Sequence, residues 1–173
     1  MIKLSEHFTL AEMTRTNTKI ENVPNEAQVE NLKRLCGWLE RLRSRYNERY
    51  GGLTPDPGLT PNPSPRGEGN FKGEGSEYQE APIIINSGFR SAAVNKAVGG
   101  ATTSNHLTGC AADIRVAGIE QLVRYATILL DISDESREDF DELLLERSPR
   151  GGYWLHFAVR PSGNRRKIKL IQT

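Results

Sequence analysis

The sequence predicts an α+β fold, with helices packed on a small, mainly antiparallel sheet. Residues 25–50 and 119–130 repeat apolar side chains at spacings of three and four, the period of a helix with one buried stripe. Short runs at 82–86, 111–116, 140–146, 153–159 and 167–171 have strand length and composition. Only residues 147–152 separate the third run from the fourth, so that pair reads as an antiparallel hairpin.

In chain order, Thr9-Leu10-Ala11-Glu12 has the form of a capping box, in which a hydroxyl and a carboxylate satisfy reciprocal backbone donors at the start of a short helix. The long helix over 25–50 buries Val29, Leu32, Leu35, Trp38, Leu39, Leu42 and Tyr46. Asn22 or Asn25 with Pro24 starts it, and Gly51-Gly52 stops it. Residues 51–79 contain the near-repeats Leu-Thr-Pro-Asp-Pro and Leu-Thr-Pro-Asn-Pro, and Arg-Gly-Glu-Gly and Lys-Gly-Glu-Gly. With almost nothing apolar to bury, this stretch is expected to be a disordered Pro/Gly-rich insertion within a single domain spanning 1–173.

Residues 82–86 are expected to form a buried strand, ending in a Ser87-Gly88-Phe89-Arg90 turn. Residues 91–98 read as a short helix broken by Gly99-Gly100, followed by a loop and the strand 111–116. The helix over 119–130 is followed by an acidic, exposed link over 131–139. The final run, 167–171, alternates polar and apolar residues like an edge strand.

Bulk properties narrow the function. A chain of 173 residues is long enough for a real core. The formal net charge of +1 does not call for nucleic acid or an anionic membrane as partner. Lys33, Arg34, Arg41, Arg43, Arg45 and Arg49 on the long helix, and the basic tail from Arg160 to Lys169, read as solvated faces. Cys36 and Cys110 do not make a disulfide framework and read as packing residues, although Cys110 lies where a thiolate could bind metal. The N-terminus has no apolar signal segment, and no stretch has membrane-spanning length. The expectation is a monomer synthesised in the cytoplasm without a signal peptide, acting on an external substrate only after release.

The chemistry concentrates in Ser104-Asn105-His106-Leu107-Thr108-Gly109-Cys110-Ala111-Ala112-Asp113. Imidazole and carboxylate are both good zinc donors, and a catalytic zinc needs three protein ligands and an open position. His106 and Asp113 supply two. His156 is the only His in the C-terminal part and completes the set; His7, near the N-terminus, reads as a surface or packing residue.

The pattern S-x-H-x-x-G-x-A-x-D followed by W-x-H resembles the zinc-binding signature of the D-alanyl-D-alanine carboxypeptidase family of metallopeptidases, peptidase family M15. That family also holds D,D-dipeptidases and phage endolysins. LSEHFTLAEMTRT, NVPNEAQVENLKRL and SGFRS…VN…VGG are similar to its small single-domain subgroup, so the resemblance spans 1–50 and 80–173. It implies a hedgehog/D,D-peptidase-like fold with one zinc ion on one face of the sheet, held by His106, Asp113 and His156. The implied activity is hydrolysis of peptidoglycan stem peptides, as a D,D-carboxypeptidase or an endolysin-type endopeptidase. Arg90 would steady the substrate or a developing oxyanion. Ser104 would bond substrate or support the loop, and Trp154 would flank the substrate or pack.

One position departs from the family pattern. Its better-known enzymes carry the catalytic carboxylate three residues before the last His, where this chain has Tyr153. Glu146, which the resemblance of FDELLLE to an FDQLI-x-E run favours, is the first replacement and Glu142 the second; both should face the metal if 140–146 pairs with 153–159. The displaced carboxylate keeps a second function open, a non-catalytic zinc-containing module that binds cell wall or protein.

Overall fold

The computed structural model describes residues 2–51 and 80–172. From residue 52 on, the Pro/Gly-rich stretch lies outside the described residues. Four helices, α1 (Leu10–Met13), α2 (Glu26–Tyr50), α3 (Ala92–Ala97) and α4 (Ile119–Ser136), accompany five strands. These are β1 (Ile85–Ser87), β2 (Ala111–Arg115), β3 (Glu142–Arg147), β4 (Tyr153–Ala158) and β5 (Lys167–Gln172). They form one sheet in the order β1-β2-β4-β3-β5. Every pairing is antiparallel except β3 with β5, which is parallel.

Strand alternation sorts the sheet into two faces. Ala112, Ile114, Leu143, Leu155 and Phe157 are fully buried and belong to a core completed by α2 and α4. Trp38 of α2 seats its ring against Phe140 and Phe157. Each large apolar side chain removed from water this way contributes about 1.5–3 kcal/mol. The alternate positions, including Asp113, Glu142, Glu146, Trp154 and His156, share the opposite face, which carries the polar chemistry.

The caps follow the local chemistry. Asn25, not Asn22, caps α2 in a reciprocal box with Gln28, and Gly51 ends the helix. Asn22 instead ties loops together, donating to the Thr14 and Phe89 carbonyls and accepting from the Ser91 N–H. At α1 the Thr9 hydroxyl accepts from the Glu12 N–H at 3.2 Å, which is one half of the expected box.

Two expected boundaries move by more than two residues. The acidic link over 131–139 is helical as far as Ser136, because Ile132 and Ser133 continue the buried stripe of Ile128 and Leu129. Its outward acidic residues meet the basic face of α2, with Arg45 on Glu135 and Arg49 on Asp131, and Arg41 reaches Glu138 just beyond the helix end. The first strand is only Ile85–Ser87. Ile83 and Ile85 are buried while Ile84 is exposed, so this run covers the core with one side only.

A left-handed turn joins α2 to the polar face. Gly109 has φ +72°, and a Cβ there would stand 2.6 Å from the Gln28 carbonyl oxygen of α2. Only glycine permits both the conformation and the approach. Gly109→Ala should therefore destabilise the protein by about 1–3 kcal/mol in denaturant unfolding; a loss below about 0.5 kcal/mol would show that the turn relaxes freely.

Candidate metal centre

Three elements bring the centre together. A 3-10 helix over Asn105–Thr108 carries His106, the middle of β2 carries Asp113, and β4 carries His156 directly opposite Asp113 in the ladder. One donor atom from each lies within 4.8 Å of the other two. Asp113 Oδ1 stands 3.2 Å from His106 Nε2 and 2.9 Å from His156 Nδ1. Both imidazoles are buried, their ring centroids 5.1 Å apart.

The second nitrogen of each imidazole also faces an oxygen atom. His106 Nδ1 lies 2.6 Å from the Gly88 carbonyl oxygen, and since a carbonyl only accepts, the proton sits on Nδ1 and Nε2 turns its lone pair to the centre. Gly88 can serve because a Cβ there would collide with the Met13 carbonyl. His156 Nε2 is buried without a hydrogen-bond partner and stands 3.5 Å from Glu142 Oε2.

The electrostatics fit a cation. Burial would lower the His156 pKa, but the hydrogen bond to Asp113 and the nearby Glu142 carboxylate outweigh it and raise it to about 9. Burial would raise the Asp113 carboxyl, yet the His106 and His156 imidazoles hold it well below the usual carboxylate range. Carboxylates thus draw a proton onto an imidazole at the point where a divalent ion would sit. A set of two imidazoles and one carboxylate fits zinc.

Arg90 lies against the centre through Asp113. Its Nη2 donates to Asp113 Oδ2 at 2.5 Å and its Nε to the Ser87 hydroxyl at 2.8 Å. Ser104 caps the 3-10 helix, its hydroxyl accepting the His106 N–H at 3.3 Å, and it lines a separate cavity with Arg160. Trp154 is half-buried on the polar face, opposite Glu146 on one side and Arg115 on the other.

The two candidate carboxylates differ sharply. Glu142 accepts from Lys167 Nζ at 2.8 Å and Asn105 Nδ2 at 3.0 Å, and Arg165 lies 3.0 Å away. The His156 imidazole 3.5 Å away, despite burial and with the help of Lys167, puts it far below the ordinary glutamate range. Glu146 has no hydrogen-bond or ion-pair partner among the described residues. Burial raises its pKa, and the Asp113 and Glu142 charges add to that against the pull of His156 and Arg90.

Tyr153 alternates to the core side of β4, half-buried against the core, with the Arg147 guanidinium 5.7 Å from its ring centre. Cys110 is buried, its thiol 3.8 Å from the Thr108 carbonyl, and it is outside the ligand cluster. His7 pairs with Glu40 at 2.8 Å and is outside the ligand cluster.

Sequence reasoning overlooked the support beneath His106. Fully buried Asp141 accepts from Arg165 and from Asn105 Nδ2 at 2.7 Å, with Arg160 3.0 Å away. Arg160 Nε also donates to Asn105 Oδ1 at 2.9 Å. Burial alone would raise the Asp141 pKa, but these donors outweigh it and lower it. The expected strand over 140–146 included Asp141 and turned it away from the metal face, but β3 begins only at Glu142, so alternation does not govern its direction; a charge directly after the buried Phe140 was the available signal. Replacing both arginines (R160A/R165A) should cost about 3–5 kcal/mol in urea unfolding, because it strands a buried charge. Asp141→Asn should cost less, and the reverse order would mean that the arginines, not the carboxylate, are the buried liability.

Residues 71–131 match the family model described as Peptidase M15, a span that includes Arg90, Ser104, His106 and Asp113 and stops within α4. No curated protein matches the chain.

Proposed function

We propose that the chain, whose residues 71–131 match the family model described as Peptidase M15, is a zinc-dependent peptidase hydrolysing peptidoglycan stem peptides, as a D,D-carboxypeptidase or an endolysin-type endopeptidase. The observation that carries the reading is the convergence of His106, Asp113 and His156 on one point. These three residues would hold a single zinc ion, which supplies Lewis acidity that activates water and polarises a peptide carbonyl.

The remaining steps fall to neighbouring side chains. Glu146 is the general base: a half-buried carboxylate with a raised pKa, unpaired among the described residues, suits taking a proton from water and passing it to the leaving amine. Arg90, held in place by Asp113 and Ser87, presents its guanidinium to the substrate carbonyl oxygen as negative charge develops there. Glu142 is held too low to act as base and instead orients His156 from the far side of the ring, as carboxylates behind metal-bound histidines do. Ser104 steadies the His106 turn, and Trp154 forms an aromatic wall for the stem peptide.

The second reading, a non-catalytic zinc-containing module that binds cell wall or protein, draws support from Tyr153, which stands in the expected carboxylate position and packs against the core instead. Muropeptides incubated with zinc-loaded protein, with and without chelator, separate the two readings by mass spectrometry. A chelator-sensitive loss of alanine or opening of a crosslink is expected. Glu146→Gln should lower kcat by about 10²–10⁴, whereas Glu142→Gln should mainly weaken zinc affinity, by about 10–100-fold. Unchanged muropeptides, on protein holding one zinc, would favour the non-catalytic module.

A further inference from the structure

A cavity of about 500 Å³ opens beside the metal centre, between the segment after α1, the turn after β1 and the end of β2. Three guanidinium groups, from Arg15, Arg90 and Arg115, line it, and no acidic side chain does. Arg90 is committed to Asp113. Arg15 donates one bond to the Ile85 carbonyl at 3.0 Å, which fixes its side chain without neutralising its charge. Among the described residues, no carboxylate pairs with Arg15 or Arg115.

Several arginines elsewhere in the molecule meet acidic partners: Arg43 meets Glu80, Arg45 meets Glu135, Arg165 meets Asp141 and Arg166 meets Asp134. Like charges gathered in one concavity repel, and a bound anion removes that cost. The position is also informative. Arg115 lies two residues beyond Asp113 on β2, hence on the same side of the strand and next to Trp154 in the ladder. Phe89, Val94 and Val98 add an apolar wall.

We propose that this cavity is a carboxylate subsite in which Arg15 and Arg115 together grip an acidic group of the peptide whose bond lies at the metal centre. The inference rests on the peptidase reading in taking the anion to be part of a peptide. Planar guanidinium groups bind carboxylate by paired hydrogen bonds, and the apolar wall suits a small side chain beside it. The carboxylate can be the peptide's C-terminus or an acidic side chain, and both present the same chemistry to the two arginines.

The test reads binding and cleavage separately. Full-length, ¹⁵N-labelled, zinc-loaded protein is titrated by NMR with three probes: N-acetyl-D-alanyl-D-alanine, its C-terminal amide, and an amide-capped dipeptide carrying a glutamate side chain. At least one acidic probe should bind about tenfold or more tightly than the neutral amide, a difference of about 1.4 kcal/mol, and should shift signals from residues 15–18 and 86–90. Preference for the first probe assigns the subsite to the C-terminus, and preference for the third assigns it to a side chain. In R15Q/R115Q, shown folded by its own spectrum, the preference should vanish, and in R15K/R115K part of it should return. Equal affinities for all three probes, absence of binding by any of them, or a preference that survives R15Q/R115Q would overturn the proposal. Cleavage of the probes, read in the same spectra, judges the peptidase independently: acid preference without cleavage keeps the subsite and loses the enzyme, and cleavage without acid preference does the opposite.

Discussion

The register between β2 and β4 is the constraint from which the centre follows. Asp113 faces His156 across the ladder, and a slip of one residue would turn one of them into the core, because strand side chains alternate. The apolar positions hold the register in place. Ala112, Ile114, Leu155 and Phe157 must all face α2 and α4 to be buried, so the same pattern that fills the core aims the ligands outward. His106 is the exception, since it comes from a turn rather than a strand. Its placement depends on Gly109 lying against α2, on the Gly88 carbonyl and on the Asn105–Asp141 network.

One sheet face holds two glutamates, four residues apart on β3, whose surroundings drive them in opposite directions. Glu142 is surrounded by Lys167, Arg165, Asn105 and the far nitrogen of His156. Glu146, two strand repeats further on, meets Trp154 in the ladder and stays unpaired among the described residues. Paired carboxylates pushed apart by environment are a common way to divide structural and proton-transfer duties. The division here originates in β5, whose parallel pairing with β3 delivers Lys167 to Glu142 and only apolar Ile171 to Glu146.

This also explains what the sequence could and could not convey. The three donors were legible because few residue types bind zinc and the chain has only three His. The face shared by Glu142 and Glu146 was legible from hairpin alternation alone. Their ranking rested on a run resembling a known family, whereas the physical cause lies in a parallel β3–β5 pairing that no local pattern reports. The acidic end of α4 was hidden because ion pairs with α2, a long-range effect, compensate residues that look like loop. The Asn105–Asp141–Arg160–Arg165 network and the Arg15–Arg115 cavity join positions tens of residues apart or more, so spacing could not reveal them.

The central claim is that two imidazoles and one carboxylate, without a thiolate, hold a single metal ion. Zinc-edge X-ray absorption on protein reconstituted with one equivalent of zinc tests it most directly. The account predicts a shell of nitrogen and oxygen donors at about 2.0–2.2 Å, with imidazole scattering behind it. A sulfur shell at about 2.3 Å would bring Cys110 into the site and contradict the assignment of His106, Asp113 and His156 as the complete set of protein ligands.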